Sequence, residues 1–97
     1  MPQQTVVFTP NVEMTTPEAL SHISTYLSSE VLTFLSTTTG RSSATSVENN
    51  THTVITNWTD EAAAEYVALM ADVSAFAKSS LVSDGWSITF TPETADL

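Results

Sequence analysis

Cysteine is absent from this 97-residue chain, glycine occurs twice, and only two cations, Arg41 and Lys78, stand against 11 acidic residues. Without cysteine there is no disulfide, no thiolate nucleophile and no thiolate metal site. The formal net charge of −9 argues against nucleic acid and anionic membrane surfaces as partners, because phosphates are held by clustered Lys and Arg. No apolar run approaches twenty residues, and the opening MPQQTVVFTP lacks the basic start and long apolar stretch of a secretion signal. A soluble, cytoplasmic protein is expected. His-x-x-x-His, an Asp-rich calcium loop, a Gly-rich phosphate cradle and a nucleophile elbow are all missing, so no metal, nucleotide or other cofactor is expected.

What is present has a globular composition. Hydrophobic residues make up 41% and charged ones 13%, against a usual ~25% charged, and Ser and Thr together fill roughly a third of the chain. The length suits one domain over residues 1–97, with an ordered core from about 5 to 92. A chain of this size buries roughly 60–65% of its unfolded surface, so self-association would help it.

The stretch TVVFTPNVEM sets Val6, Phe8, Val12 and Met14 on one side and Val7, Thr9, Asn11 and Glu13 on the other, a period of two that predicts a strand broken or shifted at Pro10. A helix is expected to open at Thr15 or Thr16, with Pro17 in its first turn, Glu18 near the positive end of its dipole, and Leu20, Ile23, Leu27, Val31 and Phe34 on one face. Residues 30–39 would also suit a strand; periodicity favours helix, with Gly40 in a left-handed C-terminal conformation. RSSATSVENNTHTVITNW reads as a hairpin turning at Glu48–Asn50, because Asn tolerates positive φ. A second helix follows from Thr59, with Ala62, Tyr66, Leu69, Val73 and Phe76 apolar and Lys78 near its negative end. Asp84-Gly85 turns the chain into WSITFTP, where Trp86, Ile88 and Phe90 alternate with Ser87, Thr89 and Thr91, and the tail ETADL is expected to fray.

The order is βαββαβ, which predicts an α+β, ferredoxin-like antiparallel sheet with both helices on one face. The opposite face, with Val7 and Val54 or Ile55 among Thr9, Asn11, Thr45, Thr89 and Thr91, must then be wet or covered by another chain. From Gly40 to Tyr66, a Gly before a hairpin and a strand ending in Trp ahead of Thr-Asp-Glu-Ala, the sequence resembles the dimeric α+β-barrel proteins, especially the antibiotic-biosynthesis-monooxygenase-like group. That resemblance implies a homodimer with facing sheets and a pocket between sheet and helices. Some members are cofactor-free oxygenases or haem-degrading enzymes, with a strand-end Trp, an Asn on the first strand and a His on the second helix. Trp58 matches the first and Asn11 the second; the second helix here has no His, so no haem ligand carries over.

Two classes of function follow. One is a small-molecule binding or interaction module whose apolar pocket is lined by Trp58, Trp86, Tyr66, Phe8 and Met14. The other is a cofactor-independent monooxygenase or isomerase acting on an apolar, even polycyclic, compound, with Trp58 and Asn57 or Asn11 positioning it and His22 as base. Each candidate has a plainer reading. Trp58 at a strand–helix junction is more often a core anchor than a ligand wall. His22 fits the edge of the core or the surface, and His52, near the hairpin turn, fits solvent.

Overall fold

Period-two alternation builds a sheet from β1 (Gln3–Thr9), β2 (Arg41–Glu48), β3 (Thr51–Trp58) and β4 (Ser87–Thr91). The computed structural model describes residues 2–97 and orders these strands β2-β3-β1-β4, every neighbouring pair antiparallel. Val6 faces Val54 on one side and Phe90 on the other, while Phe8 lies between His52 and Ile88. This α+β arrangement is compatible with a ferredoxin-like fold, with one departure: the expected first helix is two helices, α1 (Thr16–Ser24) and α2 (Ser29–Thr37). α3 (Asp60–Ser83) is continuous. A short 3-10 helix, Thr94–Asp96, follows β4.

Local chemistry sets these boundaries. At α1, Thr15 Oγ1 accepts from the Glu18 amide while the Glu18 carboxylate accepts from Thr15 N at 3.1 Å, closing a capping box. The first helix breaks because Ser28 is a competing cap: its hydroxyl accepts from Val31 N and starts α2 afresh, three residues after Thr25 has closed α1 onto His22 O. Residues 29–37 are thus helix, not strand. At the end of α3, Gly85 (φ 91°) gives its N–H to Val82 O and Trp86 gives its own to Leu81 O, a Schellman closure whose apolar contact is Trp86 with Leu81. The hairpin turns through Asn49 and Asn50, both at positive φ, which suits the right-handed twist of β2 and β3.

Several expectations are corrected. β1 ends at Thr9, and the residues after Pro10 form a loop, held to the hairpin by Asn50, which accepts from Met14 N and donates to Val12 O. On α3 the buried stripe is Ala62, Tyr66, Met70, Ser74, Ala77 and Leu81, which step by three and four along one side of the helix, and Phe76, off that side, is 61% exposed. The tail continues into the short 3-10 helix. Thr94 is buried under a hydrogen bond from Gln4, and Leu97 packs against the core. Val54 and Thr45 belong to the helix side of the sheet, so the apolar residues of the open face are Val7, Ile55 and Ala44.

Gly40 is glycine for space, not for a left-handed angle. A methyl group there would lie 2.5 Å from Ala62 Cβ and 2.7 Å from Thr59 Oγ1, because the start of α3 docks on the Gly40 carbonyl through Thr59 N. Gly40→Ala is expected to destabilise the fold by about 1–3 kcal/mol, the usual range for overpacking. The check is urea unfolding; a midpoint equal to the parent's would show that the junction yields freely.

Candidate functional site

Along β3 the helix-facing residues are His52, Val54, Thr56 and Trp58, large at both ends and small in the middle. The core divides accordingly. Around Trp58 gather Val31, Phe34, Ala62, Ala63, Tyr66 and Met70; around Phe8 gather Ala19, Leu81, Trp86 and Ile88. Between the two groups lies a cavity of about 140 Å³, bounded by Val6, Val54, Thr56 and Phe90 from the sheet, Leu20, Ile23, Leu27 and Leu35 from the α1–α2 region, and Met70, Ala77 and Leu81 from α3. Phe8 lies toward one end and Trp58, Tyr66, Gln4 and Arg41 toward the other, and the cavity is partly open to the surface, where exposed Leu20 and Arg41 line it. The volume is close to that of a cavity that accepts one benzene ring, ~150 Å³, and below the ~300 Å³ at which drug-sized ligands begin.

The Trp58 end is rigid. The indole is 2% exposed and stacks on Tyr66 with centroids 4.4 Å apart and on Phe34 at 6.0 Å. Tyr66 donates to Gln4 Oε1 at 3.2 Å, and the Gln4 amide donates to Pro92 O and Thr94 Oγ1, both at 3.1 Å. Burial raises the Tyr66 phenol above its ordinary value, which keeps it the donor in this chain. Arg41, on the edge strand opposite Trp58, reaches Leu35 O at 2.8 Å and so satisfies a carbonyl in the last turn of α2.

Of the residues singled out in the sequence, the structure brings Trp58, Tyr66 and Phe8 to this cavity and sends the others elsewhere. Asn57 points to the open sheet face and accepts from Gln3. Asn11 lies in the loop after β1 and donates to the Asp84 backbone carbonyl at 3.1 Å. His22 and Trp86 stack together, centroids 5.0 Å apart, on the far side of the second core group. His22 Nε2 is 3.7 Å from Asp84 Oδ2, beyond hydrogen-bond reach, and that carboxylate instead accepts from Tyr26, whose phenol it raises above its usual value. Met14 packs at the edge of the second group without lining the cavity. His52 is fully buried, not solvated: it occupies a core position of β3, stacks on Phe8 at 5.2 Å and shares a 2.8 Å hydrogen bond with Thr16 Oγ1.

Gln4, Thr56 and Arg41 were not anticipated at the site. Extending the alternation of Phe8 and Val6 two residues upstream reaches Gln4 on the same face, a signal present in the sequence; nothing comparable marks Arg41. Among the described residues the ionisable side chains lining the cavity are Arg41 and Tyr66, a guanidinium and a phenol raised by burial, and no His, Asp or Glu reaches its wall. Among the described residues no helix is long and apolar enough to cross a membrane, and no group of three His, Cys, Asp or Glu side chains is placed to hold a metal ion. No family model, curated protein or solved structure matches the chain, and the resemblance to the antibiotic-biosynthesis-monooxygenase-like group rests on the residues quoted above.

Trp58→Ala removes the middle ring of the stack and is expected to cost about 3–5 kcal/mol, whereas Trp58→Phe keeps an aromatic there and costs about 1 kcal/mol or less. Chemical denaturation separates the two. An alanine variant as stable as the parent would mean that Trp58 is not a core anchor.

Proposed function

We propose that the protein is a binding module for a small apolar molecule, held between sheet and helices, and that it works as a homodimer. The observation that carries the binding reading is the cavity at the seam of the two core groups, walled by aliphatic and aromatic side chains with a few polar groups at one end. Close packing is the rule in protein interiors, so a gap of this size reached from every strand and every α-helix is a feature to be explained. Its wall favours binding over chemistry, since among the described residues no His, Asp or Glu side chain lines it. Its volume favours a single ring or a short branched chain over a polycycle.

Pairing is supported by charge. Of the 11 acids, Glu48 alone lies on the open sheet face, at its rim; the remainder of that face is Thr, Ser, Asn and Gln around Val7, Ile55 and Ala44. Two chains of charge −9 can meet there without setting carboxylates against one another.

Two experiments test these readings. Ethylbenzene at ten times its dissociation constant should stabilise the fold by about 1.4 kcal/mol, or on the order of 5–10 °C in melting temperature. Ala77→Leu, which pushes a larger side chain into the cavity wall, should abolish that shift without lowering the melting temperature of the free protein. Absence of any shift in the parent sinks the binding reading. Separately, light scattering should give a dimer mass for the parent and a monomer mass for Ile55→Glu; a monomeric parent removes the pairing.

A further inference from the structure

The charge around the cavity is concentrated in one side chain. Of the two cations in the chain, Lys78 lies outside the cavity and pairs with Glu93, whereas Arg41 lines the cavity and, among the described residues, pairs with none of the 11 acids. Strand pairing puts it there. Arg41 lies opposite Trp58 in the β2–β3 ladder, and opposed residues share a face of the sheet, so its side chain rises on the helix side. Its Nη2 donates to Leu35 O at 2.8 Å and its Nη1 to Ser43 Oγ at 3.3 Å, and Leu35 is itself part of the cavity wall. A guanidinium has five N–H donors, so three remain uncommitted, and the residue is exposed, within reach of an arriving ligand. Its charge is felt inside: burial raises the Tyr66 phenol, and Arg41 is among the groups that oppose that rise. Capping α2 accounts for one hydrogen bond of Arg41, a task any neutral donor of that reach would serve. It does not account for a charge left without a counter-ion in a chain so rich in acids.

We infer that the ligand is a short monocarboxylic acid, with an apolar body no larger than a single ring or a short branched chain in the cavity and its carboxylate on the Arg41 guanidinium at the open margin. The inference rests on the binding reading above and adds the chemistry of the ligand's head. A carboxylate matches the fork of a guanidinium with two parallel hydrogen bonds. One negative charge neutralises Arg41, whereas a dianion such as a phosphate monoester would add charge to a chain already at −9. The acids elsewhere on the surface do not forbid the contact, because at physiological ionic strength charges more than about 8 Å away are largely screened. An ion pair at an exposed margin keeps much of its hydration. The apolar body therefore supplies most of the affinity, and Arg41 supplies the selection between acid and neutral forms.

The test uses 3-phenylpropionate and 3-phenylpropionamide, alike in shape and differing in charge, on the parent, on Arg41→Gln and on Arg41→Lys at neutral pH and physiological ionic strength. Comparing the ratio of the two affinities between proteins cancels their different hydration. The acid-to-amide ratio should fall roughly five-fold on Arg41→Gln, the upper end for an exposed ion pair, and be largely regained in Arg41→Lys. Ethylbenzene should bind all three proteins alike, which shows that the cavity itself is unchanged. In the parent, the one arginine of the chain gives a single side-chain Nε–H resonance, which should move with the acid and hold still with the amide. That resonance decides the matter should Arg41→Gln fail to fold. An unchanged ratio, or a resonance that answers both compounds alike, overturns the inference, while binding of ethylbenzene leaves the apolar site standing. If neither ethylbenzene nor either phenyl compound binds the parent, the binding reading itself fails and this inference with it.

Discussion

The pleat of β3 is the constraint on which the interior depends. Because its side chains alternate strictly, His52, Val54, Thr56 and Trp58 must share the helix side, and the first and last of them seed separate ring stacks. One stack runs from His52 through Phe8 and Trp86 to His22; the other is Phe34, Trp58 and Tyr66. A strand with bulk at its ends and short side chains at its middle props the helix layer away from the sheet in between. Val6 on β1 and Ala77 on α3 are likewise too small to fill that space, and so the cavity lies where it does.

Much of the architecture was legible because it is local. Strand alternation, the caps at Thr15 and Thr59, the turn at Asn49–Asn50 and the glycine after Asp84 each depend on a few neighbouring residues whose stereochemistry allows little else. What could not be read is what depends on distant partners. Ser28 looks like one more polar residue in a helical pattern until its hydroxyl is seen to cap a new helix. Gly40 looks like a helix terminator until Ala62 and Thr59 are found against it. His52 looks like a turn residue until its place in the pleat is counted back from Trp58.

The site divides in the same way. Trp58 and Tyr66 meet because a strand end and the second turn of the helix after it are close along the chain, a proximity visible in the sequence. Asn11, His22 and Trp86 do come together, but around Asp84, not around Trp58: the Schellman turn carries Asp84 back beneath the loop after β1 and beside α1. Which corner a residue joins is a matter of tertiary closure, and no spacing rule within one segment contains it.

β2 is held differently from the other strands. Its residues Ser42 to Ser46 are short and exposed on both sides, and the helix layer stops short of them. Sliding β1 by two residues against β3 would tear Phe8 from His52, whereas the same slide of β2 would exchange one short side chain for another, Ser for Thr or Ala for Ser, at small cost to any packing. The alignment of that edge is therefore set at its two ends, by the backbone angles of Asn49 and Asn50 and by the reach of Arg41 to Leu35. Positional information is dense in the middle of this sheet and sparse at one margin, so a two-residue turn serves as the address of a strand whose own residues are interchangeable.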